Sequence, residues 1–194
     1  MVTLAQVPSL LIGFRFVMAA LLLWDAIDQQ TGLWFVVGYS LAIVSDIFDG
    51  IIARRLGVST PRLRQADSWA DICLFLVIAA GTWLVYPEVI LAFRVPLLIA
   101  LLAQLSLFGL SLAKFQKMPS FHTYTAKAWG LALLTATISL FGFGVAGPLW
   151  GAIVLCLLNT IEEILMTLML DEWHCDVLSI FHAWELRTQT GEFL

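Results

Sequence analysis

Charge is what this sequence has least of. Only 12% of its 194 residues are Asp, Glu, Lys or Arg, against 61% hydrophobic ones. A soluble fold of this length needs far more polar side chains to cover its surface, whereas a bilayer solvates apolar ones directly. A soluble globular domain is therefore excluded. No basic run interrupts the chain, which excludes nucleic acid as a partner. Cysteine is also scarce: Cys73, Cys156 and Cys175 are odd in number and far apart, so neither a disulfide framework nor a C-x-x-C metal site is implied, and all three read as small packing residues. The N-terminal stretch MVTLAQVPSLLIGFRFV lacks the basic n-region and small-residue cleavage site of a secretory signal. Its first apolar segment is expected to stay as a helix.

What is abundant is apolar sequence in long segments. Spanning about 30 Å of hydrocarbon takes about 20 helical residues, and six such segments are predicted at approximately 8–26, 33–56, 66–86, 88–113, 124–145 and 147–171. The fold class expected is an all-α membrane protein, a six-transmembrane-helix bundle with an interfacial C-terminal helix. The six spans form one transmembrane catalytic domain over 1–171, followed by an amphipathic tail over 172–194 in which Val177, Ile180, Phe181 and Trp184 repeat at three- and four-residue spacing. Arg54, Arg55, Arg62 and Arg64 follow the second span, and Lys114 and Lys117 the fourth, with Lys127 opening the fifth. The links after the first, third and fifth spans carry no basic residue. Because basic residues stay on the cytoplasmic side, a multi-pass integral membrane protein with both termini cytoplasmic is expected. Trp24, Trp34, Trp83 and Trp173 read as interfacial anchors.

Against this background, four aspartates stand out. Asp46 and Asp49 lie at i, i+3 on the second span, and Asp67 and Asp71 at i, i+4 on the third, so each pair projects from one helical face. All four fall in the cytoplasmic third of the bilayer. An ionised carboxylate there costs at least about 2.5–3.5 kcal/mol, and four of them repel one another. Hard divalent cations neutralise such a cluster; with no nearby His or Cys, zinc is disfavoured. Gly50 and Ala53 clear side chains from the same surface, letting a bulky ligand approach the helix backbone. Arg54 offers a cationic fork to a phosphate oxygen, and Arg15 on the first span can add a second. The plainer alternative is that the aspartates pair with the arginines between the two spans and only stabilise helix ends.

The stretch DIFDGIIARRLGVSTPRLRQADSWAD, from Asp46 to Asp71, closely resembles the signature of the CDP-alcohol phosphotransferase family, D-x2-D-G-x2-A-R-x8-G-x3-D-x3-D. Leu63 stands where the family has its second glycine, which bears on local packing and acceptor access but removes no ligand atom. The resemblance implies that Asp46, Asp49 and Asp67 bind metal, and that Asp71 binds metal and is the general base. It further implies that Gly50 and Ala53 line a cytidine nucleotide site, that Arg54 contacts the diphosphate, and that two divalent cations, Mg2+ or Mn2+, serve as cofactors. The reaction implied is phosphatidyl or substituted phosphoryl transfer from a CDP-linked donor, CDP-diacylglycerol first among them, to a small polar alcohol, with CMP released. Membrane lipid as a partner and a homodimer are implied too.

The acceptor is expected to meet further polar groups. Lys127, Glu162 and Glu163 are candidates for binding it, the glutamates toward a cationic head group. Glu162 and Glu163 alternatively pair with Arg15 or Lys127. His122 is a further cationic candidate, and Lys114, Lys117 and Arg94 read mainly as topological or snorkelling residues. Ser45, Ser68, Asn159 and Thr160 read as interhelical hydrogen bonders. From a different class, the aspartates of a divalent-cation transporter or channel form a permeation site. Acids gathered near one face, without repeats, argue against that reading.

Overall fold

The computed structural model describes residues 6–58, 60–174 and 177–191, so Cys175 lies outside the described residues. Every regular element among these is helical, as apolar segments in hydrocarbon require, because an α-helix satisfies its own backbone polar groups. The elements are α1 (Val7–Ile27), α2 (Leu33–Leu56), α3 (Pro61–Val85), α4 (Pro87–Ala92), α5 (Arg94–Phe115), α6 (Tyr124–Phe143), α7 (Leu149–Met169) and α8 (Ile180–Gly191). Six of them, all but α4 and α8, are long and apolar enough to cross a membrane. The chain is thus a multi-pass membrane protein.

Helix ends follow local chemistry. Pro8 sits in the first turn of α1 and Pro61 in that of α3, where a missing N–H costs nothing. Gly57 closes α2 in the left-handed region (φ 66°), and the Val58 N–H reaches back to the Ala53 carbonyl at 3.1 Å, a Schellman-type stop. Thr60 then caps α3, its hydroxyl accepting the Leu63 N–H at 3.2 Å. Position 63 therefore lies in an ordinary first helical turn with negative φ, and leucine takes the place of the family's glycine without backbone strain. Thr60→Ala is expected to cost about 1 kcal/mol, read as a lower thermal midpoint.

One span departs from expectation. The continuous helix predicted over 88–113 is broken at Phe93, between α4 and α5. Pro96 is the cause available in the sequence: its ring clashes with the carbonyl four residues back, at Ala92, and it offers that carbonyl no N–H.

The chain divides into two compact units, residues 1–92 with 137–145, and residues 93–136 with 146–194. In the first, α1 packs on both α2 and α3. Ala19, Ala26, Ala42 and Ala70 are fully buried, and such small side chains let membrane helices approach closely. Phe35 stacks on Phe141 with ring centroids 4.0 Å apart. In the second unit, α5 packs on α7 and α7 on α8. Gln104 donates to Thr160 at 2.9 Å, joining α5 to α7. Lys114 donates to the Thr167 and Leu168 carbonyls at 3.0 and 2.9 Å, closing the end of α7 as a cation does at a helix C-terminus.

The apolar stripe of the tail turns out to be divided. Val177 and Ala183 are buried with Phe121, Met166 and Leu170, and Ile180 and Leu186 pack against them. Phe181 and Trp184 point the other way, 77% and 62% exposed. Val177 precedes the helix, so its spacing to Ile180 is not a helical repeat.

Candidate active site

The buried positions of α1 are Pro8, Ile12, Arg15, Ala19, Leu22 and Ala26, a three- and four-residue repeat that defines its inward stripe. Arg15 is on that stripe, and its side chain is fully buried. On α2 the inward positions include Tyr39, Ala42, Ser45, Asp49 and Ala53. Asp46 flanks them, and Asp67 and Asp71 follow from α3.

These elements converge on the Arg15 guanidinium. Nη1 donates to Asp67 Oδ1 at 2.9 Å and to Asp71 Oδ1 at 2.7 Å. Nη2 pairs with Asp46 Oδ1 at 3.0 Å and donates to Asp49 Oδ2. One nitrogen therefore serves the aspartates of α3, and the other serves those of α2. The planar fork of arginine makes this division possible, since its two terminal nitrogens point apart at fixed geometry. The Asp49 side chain is 4% exposed, whereas those of Asp46, Asp67 and Asp71 are 35%, 31% and 37% exposed. Asp49 forms the floor of the cluster, and the other three border its accessible side.

The donor set suits a hard divalent ion. Asp46, Asp49 and Asp67 each place one oxygen so that the three lie within 4.8 Å of one another. Oxygens sharing one octahedral ion at about 2.1 Å stand about 3–4.2 Å apart, so a small inward adjustment completes the set. All donors are carboxylate oxygens, the class preferred by magnesium and manganese.

The remaining expected site residues fall as follows. Ala53 is buried on the inward face of α2. Arg54 is exposed and folds back over Gly50: a Cβ at position 50 meets Arg54 Nη1 at 3.4 Å. Among the described residues, the ion pairs found for the four aspartates run to Arg15 of α1. The sequence located Arg15 beside the aspartates but not on all four of them. The available signal was the Ile12, Arg15, Ala19, Leu22 spacing, which puts an arginine on an otherwise apolar inward stripe.

The second unit holds the acceptor candidates. Glu162 accepts from the Thr125 hydroxyl and from the Ile180 N–H, the latter at 3.2 Å, so it ties α7 to both α6 and the start of α8. Glu163 is buried and accepts from Asn159 Nδ2 at 3.2 Å. Asn159 Oδ1 in turn accepts from Thr123 and Thr125 at 2.8 and 3.0 Å. Within the second unit these are the contacts found for the two glutamates, and none of them is an ion pair with Lys127. Lys127 is exposed, its ammonium 5.1 Å from the Tyr124 ring centroid, and Lys117 lies 4.7 Å from that of Trp173. Asn159 and Thr160 bond between segments as expected. Ser45 does not: its hydroxyl donates to the Ala42 carbonyl of its own helix at 2.7 Å, the local bond that serine makes inside helices.

Comparison with curated proteins and with solved structures returns no match. A sequence model of the CDP-alcohol phosphatidyltransferase family matches residues 5–173, a stretch that takes in Arg15, all four aspartates and every membrane-spanning helix. Members transfer a phosphatidyl group from a CDP-alcohol to an alcohol acceptor and use a divalent metal, chemistry that matches an all-carboxylate donor set and replaces the transporter reading. The chain belongs to the CDP-alcohol phosphatidyltransferase family.

Proposed function

We propose that this protein transfers a phosphatidyl group from CDP-diacylglycerol to a small polar alcohol, releasing CMP, at the cluster of Asp46, Asp49, Asp67 and Asp71. The observation that carries this reading is the convergence of four carboxylates from α2 and α3 on one cation, in the motif order of the family. Asp46, Asp49 and Asp67, with Asp71, would hold two Mg2+ or Mn2+ ions. When bound, these ions supply charge neutralisation for the donor diphosphate and its leaving phosphate.

The chain's own groups do the rest. Asp71, on the accessible side of the cluster, takes the proton of the acceptor hydroxyl. The acceptor oxygen forms a bond to the lipid-linked phosphorus as the bond from that phosphorus to the CMP oxygen breaks, so CMP leaves with the bonding electron pair. Arg54 and Arg15 hold the diphosphate, and Gly50 and Ala53 let the cytidine nucleotide approach α2. Substituting Gly50→Val brings side-chain carbons into van der Waals contact with the Arg54 guanidinium, 3.4 Å from a Cβ at that position, and restricts its movement toward a ligand. The KM for the CDP-linked donor is expected to rise about tenfold, in line with losing about one charge-assisted hydrogen bond, while thermal stability stays near wild type.

The basic links after α2 and α5 support a cytoplasmic active site and cytoplasmic termini, and a homodimer is the working form we propose. For the acceptor, Lys127 and Glu163 are the side chains we assign to recognition. The contacts of Glu162 support an anchoring role for α8 instead.

The test is a panel of candidate alcohols offered with CDP-diacylglycerol to the purified protein in lipid, with CMP and lipid product both measured, with and without EDTA. Metal-dependent CMP release matched by one lipid product is expected. Divalent-cation flux into sealed vesicles, with no CMP release for any alcohol, overturns the reading.

A further inference from the structure

We infer that Arg15 is an exchangeable counter-ion of the aspartate cluster, shared between the carboxylates and the donor diphosphate, and that it thereby couples metal binding to donor binding. The inference rests on the proposed metal-binding role of the aspartates and concerns a different quantity, the dependence of one ligand's affinity on the other.

The geometry carries it. The guanidinium is fully buried, and its two terminal nitrogens reach one oxygen of each of the four aspartates. Three of those aspartates also supply the oxygens that lie within 4.8 Å of one another. A dication among these oxygens meets a permanent positive charge within hydrogen-bonding distance of its own ligands, in surroundings that screen poorly. The two cations therefore compete for the same carboxylates. Arg15 Nε is buried and has no hydrogen-bond partner among the described residues, so the polar contacts of the side chain lie at its tip.

An anion beside the cluster changes the balance. A diphosphate offers the guanidinium a bidentate partner of the kind it prefers. Once Arg15 transfers to it, the carboxylates lose their competing cation and take the divalent ion more tightly. Linkage makes the effect reciprocal: metal that displaces Arg15 presents it to the diphosphate. Donor and metal thus favour each other beyond any direct contact between them, and four repelling carboxylates are never left without a cation.

The experiment measures Mn2+ affinity, by the paramagnetic resonance signal of free Mn2+, on the full-length protein in lipid nanodiscs, with and without saturating CDP as the diphosphate probe. In the wild type, CDP is expected to tighten Mn2+ binding at least tenfold. In Arg15→Gln, Mn2+ without CDP is expected to bind at least tenfold tighter than in the wild type, and the CDP effect to shrink at least fivefold. Arg15→Lys keeps the charge but cannot divide two nitrogens between two helices. It is expected to bind Mn2+ at least threefold tighter without CDP, and it decides the matter if Arg15→Gln does not fold. Unchanged Mn2+ affinity in Arg15→Lys, or an undiminished CDP effect in Arg15→Gln, overturns the inference. Asp46→Asn keeps the two failures apart: if it binds Mn2+ as the wild type does, the metal reading of the cluster itself is wrong.

Discussion

Asp71→Asn is expected to lower the rate of CMP release by at least about a thousandfold while leaving the helices assembled. Removing a general base costs about 10²–10⁴ in rate, and here the same substitution also takes one carboxylate from the metal cluster. The amide keeps the size of the side chain. It can still accept the Arg15 Nη1 hydrogen bond, 2.7 Å long in the wild type, so Arg15 keeps a contact with α3 through the new amide as well as through Asp67. Stability is therefore expected to stay near wild type. The measurement is single-turnover CMP release beside a thermal midpoint in the same lipid. A folded Asp71→Asn protein with wild-type turnover refutes the base assignment.

Arg15→Met carries the largest expected effect on stability. Methionine follows much of the arginine stem but leaves the tip of the side chain unreplaced, and with it the cation that touches all four aspartates. Breaking a buried ion pair by removing one partner costs about 3–5 kcal/mol, because uncompensated charge stays buried, and here the four carboxylates also repel one another. In EDTA the thermal midpoint of Arg15→Met is expected to fall well below that of the wild type. Saturating Mn2+ should recover much of the loss, since a ligand at a hundred times its Kd adds about 2.7 kcal/mol. The check is a pair of melting curves in EDTA and in Mn2+ for both proteins. Equal midpoints in EDTA refute the claim that Arg15 holds the cluster together.

Much of the fold was legible because hydrophobic length in a bilayer is a strict requirement. Five of the six expected spans agree with the helices to within a few residues. The fourth span was misjudged because composition records apolar length but not continuity, and Pro96 interrupts the helix without making the segment less apolar. The aspartates were legible for a related reason. Charged side chains in hydrocarbon are costly enough that their spacing is informative, and i, i+3 and i, i+4 intervals put each pair on one face.

The adjacent glutamates show where periodicity stops being informative. Their 100° separation predicts that at most one faces a cavity fully. It does not reveal that Glu162 reaches the Thr125 hydroxyl and the Ile180 N–H while Glu163 turns to Asn159. Those partners come from residues 37, 18 and 4 positions away, and only the last of these separations is a helical interval. The tail behaved similarly: Ile180, Phe181 and Trp184 form a plausible stripe, yet the helix seats Ala183 against the Met166 and Leu170 cluster and turns Phe181 and Trp184 outward.

By itself, the sequence determined that the chain crosses a membrane several times, and which four carboxylates gather in one cluster. Bilayer thickness and charge burial act on local composition and on short intervals, which a sequence displays directly. Only the tertiary structure decided that Arg15, 34 to 56 residues from its hydrogen-bonded aspartates, divides its guanidinium between α2 and α3. That division depends on how close three helices come, and small buried side chains on them, Ala19, Ala42 and Ala70, permit the approach. No interval along one helix encodes it.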